Sequence, residues 1–398
     1  MRPDRTQGSV FRFGLKRLSR VTMADRDPAE IRIADSMLAI DPVEWDRLAG
    51  SADPFLSHAF LAALESSGSA TGQTGWTPLP LTVSQGGAVV GAAPAYLKTH
   101  SQGEYIFDHA WADAWERAGG NYYPKLLIAV PFTPVVGPRL LGQAPELVLA
   151  GAEALTTQNQ LSSAHINFLI EAEADIAERR GWLVRHGIQY HFVDRGYGDF
   201  EGFLAACSSR KRKTIRKERA AAREGLTFRH LRGAEIGAAD MDAMWRFYQD
   251  TGSRKWGRPY LTRDFFGSAV ARLGDQLLLF LAERDGHPIA GALNWVGSDT
   301  LYGRYWGCSE DVPFLHFELC YYQAIDWALA NGRTTVQAGA QGEHKLARGY
   351  EPVTTLSAHF LPDPGFRSAV ADFLVRERTA VANEIAALRE ELPFRKEG

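Results

Sequence analysis

LYGRYWGCSEDVPFLHFELCYYQAIDWALANGRTTVQAGAQGEHKLARGYEP, residues Leu301 to Pro352, is the stretch whose reading decides the fold. Tyr302, Tyr305 and Trp306 are aromatic strand-formers, and the polar run Cys308 to Pro313 breaks that strand before a helix from about Phe314 to Ala330. Asn331-Gly332 offers the left-handed residues that end a helix, and Thr334 to Gln337 is the next short β-branched strand. Strand, helix, strand and polar loop together describe an α/β sheet. The loop, Gly339 to Tyr350, carries Gln341, Glu343, His344, Lys345 and Arg348 among glycines, a composition that packs badly as core. Ligands in such sheets sit in loops beyond the carboxyl ends of the strands.

Working outward, the hairpin before this stretch has a counterpart about 200 residues earlier. Leu278 to Glu283, a turn at Asp285-Gly286-His287 and Ile289 to Leu293 match Leu81 to Val83, a turn at Gln85-Gly86-Gly87 and Val89 to Ala93. An aromatic strand follows in each, Thr300 to Tyr302 in one and Glu104 to Phe107 in the other. The repeat predicts an internal duplication: two α/β units with mixed sheets flanked by helices. The expected division is a disordered leader over residues 1–27, one unit over 28–195, a second over 196–365 that opens with a basic helix, and a C-terminal helix over 366–398. Met23 makes a mis-assigned start as natural a reading of the arginine-rich leader as a real tail, with a transit peptide the minor reading.

Composition narrows the class. A chain of 398 residues exceeds one ordinary core, and a net charge of -3 gives no global attraction to nucleic acid or acidic membranes. Three cysteines, Cys207, Cys308 and Cys320, without CxxC spacing argue against a disulfide framework or a zinc site. No window reaches the ~18 apolar residues of a membrane span, so the chain is expected in the cytoplasm, with no metal and no permanently bound cofactor. Nothing sets an oligomeric state.

Two stretches have anion-binding character. Arg212, Arg216, Arg219 and Arg223 fall along one stripe of a helix that begins near Ser209, either a phosphate-binding face or a solvated linker. Gly137 and Arg139 precede a helix expected near Ala144, where they either meet an anion at its amides or form a proline-rich edge connection. The basic, aromatic loop Gly252 to Tyr260 could lie over a ligand.

Tyr96-Leu97-Lys98 with Gly103 to Asp108, Val130 to Val135 with Gly137-Pro138-Arg139, Ser208 to Arg212, and Gln341 to Lys345 together resemble the FemAB-like, peptidoglycan biosynthesis/recognition family of the GNAT acyltransferase superfamily, over roughly Asp53 to Glu377. That resemblance implies two GNAT-like domains and acyl or aminoacyl transfer to an amine, with aminoacyl-tRNA or acyl-CoA as co-substrate and a small-molecule or peptide acceptor, such as a cell-wall precursor. The sequence departs from the CoA pattern, because Glu310 and Asp311 stand where a pyrophosphate loop would need bare amides.

Acyl transfer needs a proton acceptor and donors to a tetrahedral oxyanion. Glu343 or Glu318 is the expected base, supported by His316 and His344. Gln341, Lys345 and Arg348 are expected to hold anionic groups, and Lys98, Glu104 and Asp108 to bind the acceptor; each of these could instead be an ordinary surface charge. Two other classes stay open: a non-catalytic binding protein for a nucleotide-linked precursor or tRNA, and an RNA-binding module. The last is weakened because no aromatic lies between Arg210 and Arg223 to stack a base.

Overall fold

The computed structural model describes residues 29–254, 259–339 and 342–395. The expected leader therefore lies outside the described residues, as do Gln341 and residues 255–258 of the basic loop. In the first half the strands are β1 (Glu30–Ile33), β2 (Trp76–Pro78), β3 (Leu81–Gln85), β4 (Ala88–Ala93), β5 (Ala95–Lys98), β6 (Lys125–Ile128), β7 (Leu141–Gly142), β8 (Ala164–Leu169) and β9 (Leu183–Val193). In the second half they are β10 (Thr227–Arg232), β11 (Leu277–Arg284), β12 (His287–Val296), β13 (Thr300–Cys308), β14 (Thr335–Gln337) and β15 (Glu351–Phe360).

A long mixed sheet runs β10-β11-β12-β13-β14-β9-β15-β8-β6-β5-β2, and a small one runs β1-β3-β4-β7. The long order is nearly palindromic. From either end an antiparallel run leads to one parallel pair, β13 with β14 or β6 with β8, and the centre is the antiparallel pair β9 with β15. β9 belongs to the first half yet pairs with β14, and β15 belongs to the second yet pairs with β8. The two halves thus exchange their last strands, and strand pairing across the centre joins them.

The matching hairpins occupy matching steps. β3 pairs with β4, and β11 with β12, through two-residue turns whose central residues all have positive φ: 59° and 84° at Gly86-Gly87, 50° and 76° at Asp285-Gly286. That is the turn that suits the twist of a hairpin. Pro80 and Pro94 make the first half different. Each removes a ladder donor, splitting what is one long strand in the second half into β2 and β3, or β4 and β5, so that the small sheet peels away.

The expected aromatic strand Glu104 to Phe107 is a loop instead: Tyr105 has a φ of 59°, far from the extended range, and Glu104 turns inward onto Lys125. The helix expected over 314–330 forms over 315–330, with a π turn at Glu318–Tyr322. One apolar cluster runs from Phe55, Phe60 and Phe132 to Phe265, Trp295 and Tyr302, so the halves also share core.

Candidate functional site

β13 and β14 pair in parallel only as far as Tyr302 and Gln337. Beyond that step β13 continues to Cys308, while the other chain leaves the sheet for the polar loop and the 3-10 helix Glu343–Arg348. A parallel pair that parts in this way exposes strand edges and side chains that the sheet does not use.

Lys345, on that short helix, is buried, and its Nζ donates to the Gly339 carbonyl at 2.7 Å. No carboxylate lies within ion-pair distance of it among the described residues. Burial, reinforced by the Arg304 guanidinium, lowers its pKa to about 7. Arg304, on β13, donates to the Phe132 carbonyl at 3.1 Å and has a buried Nε with no partner; it too lacks an ion pair among the described residues. The buried Gln337 Oε1 is likewise without a donor. His191 of β9 sits opposite Gln337 in register, and burial followed by the Lys345 charge lowers it to about 4, so it is a neutral imidazole whose Nε2 donates to Gln189 at 3.2 Å. A buried lysine beside a half-buried arginine, neither with a counter-charge among the described residues, is costly to fold, and an anionic ligand would offset that cost.

The other second-half candidates divide. Glu343 is exposed at the start of the short helix, and His344, also exposed, meets the Tyr321 hydroxyl at 2.8 Å. His316 lies in an aromatic group with Trp306 at 5.2 Å, Tyr321 at 5.3 Å and His344 at 6.1 Å between ring centroids. Glu318 does not fit the expected role of base. It is fully buried and clamped by Arg219 at 3.1 Å and Arg223 at 2.6 Å, with Gln323 donating at 2.9 Å, so its oxygens are taken up by three partners and have no open side toward a substrate.

That clamp also corrects the arginine stripe. Arg219 and Arg223 are engaged by Glu318, and Arg216 pairs with Glu201, which leaves half-buried Arg212 as the stripe's remaining member. Arg348 is no free anion hook either, because its NH2 reaches both oxygens of Glu218 at 2.9 Å while the guanidinium covers the Phe317 ring.

In the first half, Lys98, Glu104 and Asp108 do come together, all buried, around Lys125. Lys125 donates to Glu104 at 2.8 Å and to Asp108, and Lys98 lies 3.9 Å from Glu104. Tyr122 donates to Asp108 at 2.7 Å and lies 3.4 Å from His165, whose Nδ1 meets His359 Nδ1 at 2.6 Å across the β8–β15 ladder. Burial lowers Lys98 to about 7, with Glu104 partly offsetting it; burial also lowers His165 to about 3. Burial alone would raise Asp108, but Lys125 and His165 outweigh it and hold the carboxyl well below its usual range. The four charges balance within the cluster, while Glu104 Oε1 and Asp108 Oδ1 have no hydrogen-bond partner.

Gly137 and Arg139 do not form an anion site at a helix start. Arg139 is fully buried, and its Nε donates to the Asn167 carbonyl at 3.1 Å and NH1 to that of Pro138 at 2.8 Å. A Cβ on Gly137 would come within 2.4 Å of Asp53, so the loop is packed onto that carboxylate. The helix Pro145–Gln158 starts where expected, with Ala144 at its N-cap, but Arg139 is not turned to its amides.

Sequence reasoning missed Arg304, Gln337, His191 and Lys125. Arg304 did leave a signal, an arginine inside the aromatic strand Tyr302 to Trp306, where a charge is out of place unless it has work at the strand edge.

The molecule is thus a two-unit mixed α/β protein with exchanged last strands and a polar opening at one parallel pair. The chain belongs to the FemAB-like, peptidoglycan biosynthesis/recognition family, whose model matches residues 36–396. The crystal structure of FemX covers 83% of this chain and 98% of its own, at 12% identity and a TM-score of 0.53. L-PGS from Bacillus licheniformis is similar over 82% of this chain and 98% of its own, at 12% identity and a TM-score of 0.48. A tandem GNAT protein from the clavulanic acid biosynthesis pathway covers 84% and 99%, at 12% identity and a TM-score of 0.43. At these identities the likeness is one of fold. None of the curated proteins compared with the chain matches it. No helix among the described residues is long and apolar enough to cross a membrane.

Proposed function

We propose that the chain transfers an acyl or aminoacyl group onto an amine of a cell-wall precursor, and that the transfer takes place where β13 and β14 part. The observation that carries this reading is the pair of uncompensated cations there, Lys345 and Arg304. Attack of an amine on an ester or thioester carbonyl puts a negative charge on the carbonyl oxygen, and fixed donors in a water-poor site stabilise that charge most strongly. Lys345 in its ammonium form and the idle Nε of Arg304 are such donors. Membership of a peptidoglycan family supports a precursor as acceptor; the donor is an aminoacyl-tRNA or an acyl-CoA, used as substrate and released.

The attacking nitrogen becomes strongly acidic once the new C–N bond forms, so a weak acceptor suffices for its proton; collapse of the adduct then breaks the ester C–O or thioester C–S bond, and the tRNA hydroxyl or CoA thiol leaves with that proton. His344, exposed on the same short helix and held by Tyr321, is a suitable acceptor. Glu343 then serves at most as a surface charge.

The test is a transfer assay with each donor class and an amine-bearing precursor, read as a mass increase of the acceptor. Lys345→Met should lower kcat/KM by ~10²-fold or more, whereas Glu343→Gln should lower it by less than about threefold. Full activity in Lys345→Met would overturn the assignment of the site. No turnover by the parent with either donor would favour a non-catalytic binding protein built on the same fold.

A further inference from the structure

The helix Ser209–Arg223 is basic on more than one side, and the sides have different fates. Arg216, Arg219 and Arg223 face carboxylates already described. On another side, Arg210, Lys211 and Thr214 line a cleft of about 340 Å³ whose far wall includes Tyr322 and Arg348. The one carboxylate lining it, Glu218, is already engaged, since Arg348 donates to both of its oxygens and Tyr322 donates to it as well. Arg210 and Lys211 are thereby left without an ion pair among the described residues, and Arg348, about nine-tenths buried, keeps an Nε with no partner. The cleft is at the first turns of a 15-residue helix whose N-cap, Ser208, makes no side-chain cap bond. Two open cations on one wall of a cleft whose only carboxylate is already engaged suit the oxygens of a phosphate.

We infer that this cleft binds a phosphate group. The 3-10 helix that carries Lys345 also carries Arg348 three residues later, so one donor molecule engages both: phosphate in the cleft, reactive carbonyl at the parting strands. Assigning the phosphate to the donor rests on the transferase reading; phosphate binding itself does not. RNA backbone and CoA pyrophosphate share this chemistry, and they are separated below.

The probe is inorganic pyrophosphate, followed by calorimetry on the full chain at two salt concentrations. Arg210→Gln with Lys211→Gln should weaken binding by about tenfold or more and flatten its salt dependence. Lys213→Gln with Lys217→Gln removes the same charge from exposed positions of the same helix and should change binding by less than about threefold. Equal losses from the two double variants would mean a diffuse basic field and would overturn the site, as would unchanged binding in the cleft variant. An acceptor-stem RNA and CoA, tested in parallel, tell the sources apart: whichever loses affinity in the cleft variant is the ligand that uses it. Lys345→Met should leave pyrophosphate binding intact, so failure of the transferase reading and failure of the phosphate site give different results.

Discussion

Beyond Ile128 and Ile166 the first half's parallel strands part, as the second half's do beyond Tyr302 and Gln337, and the two openings are treated in opposite ways. The first is filled from within. The Gly137 amide donates to the Phe168 carbonyl at 3.0 Å, Arg139 bonds the Asn167 carbonyl, and Glu173 accepts from the amides of Arg139 and Leu140 at 2.8–2.9 Å. Its buried cation has counter-charges: Arg139 is held by the field of Asp53 and Glu173. The second opening has Lys345 and Arg304, with no counter-charge among the described residues. Duplication supplied the same wedge twice, and the difference in charge balance is what the proposed donor site rests on.

The sharpest way to break that comparison is Arg139→Ala. Two buried carboxylates would lose their cation and a fully buried side chain its volume, so unfolding free energy in urea should fall by about 3–5 kcal/mol. A loss under about 1 kcal/mol would mean the first opening is not braced by charge.

Lys345→Met should have a smaller effect of opposite sign, leaving stability unchanged or raised by about 1–2 kcal/mol, since methionine fills the site without a buried charge. The pH dependence follows from the depressed pKa. Between about 7 and the ordinary lysine range only the unfolded chain keeps the proton, so the parent gains stability as pH rises through that window, and the variant should gain less. A destabilised Lys345→Met with an unchanged pH slope would make Lys345 a structural residue like Lys125.

Much of the fold was legible in the sequence because it depends on local signals. The turns at Gly86-Gly87 and Asp285-Gly286, the helix stop at Asn331-Gly332 and the alternation in the hairpins are short-range features, and the structure places them at equivalent steps. The exchange of β9 and β15 was not legible, since partner choice between two similar half-sheets leaves no mark within either strand. The site was legible in part. Lys345 was singled out because a lysine in a glycine-rich loop after a strand is conspicuous. Glu318 and Arg139 were misread because a charge that is functional and a charge that is buried against a distant partner look alike in one dimension; Glu318 meets Arg219 from 99 residues away.

The central claim is that Lys345 is a buried, uncompensated cation awaiting an anion. Its side chain can be followed directly by NMR in protein carrying ¹³C-labelled lysine, with Lys345→Met to assign the signal. The account predicts a titration at about 7 in the free protein and a shift to higher pH on adding the donor, because a bound anion favours the ammonium form; above pH 7 the donor should then bind with uptake of a proton and with falling affinity. A Lys345 signal titrating near the ordinary lysine value of about 10.4, unmoved by donor, would contradict it.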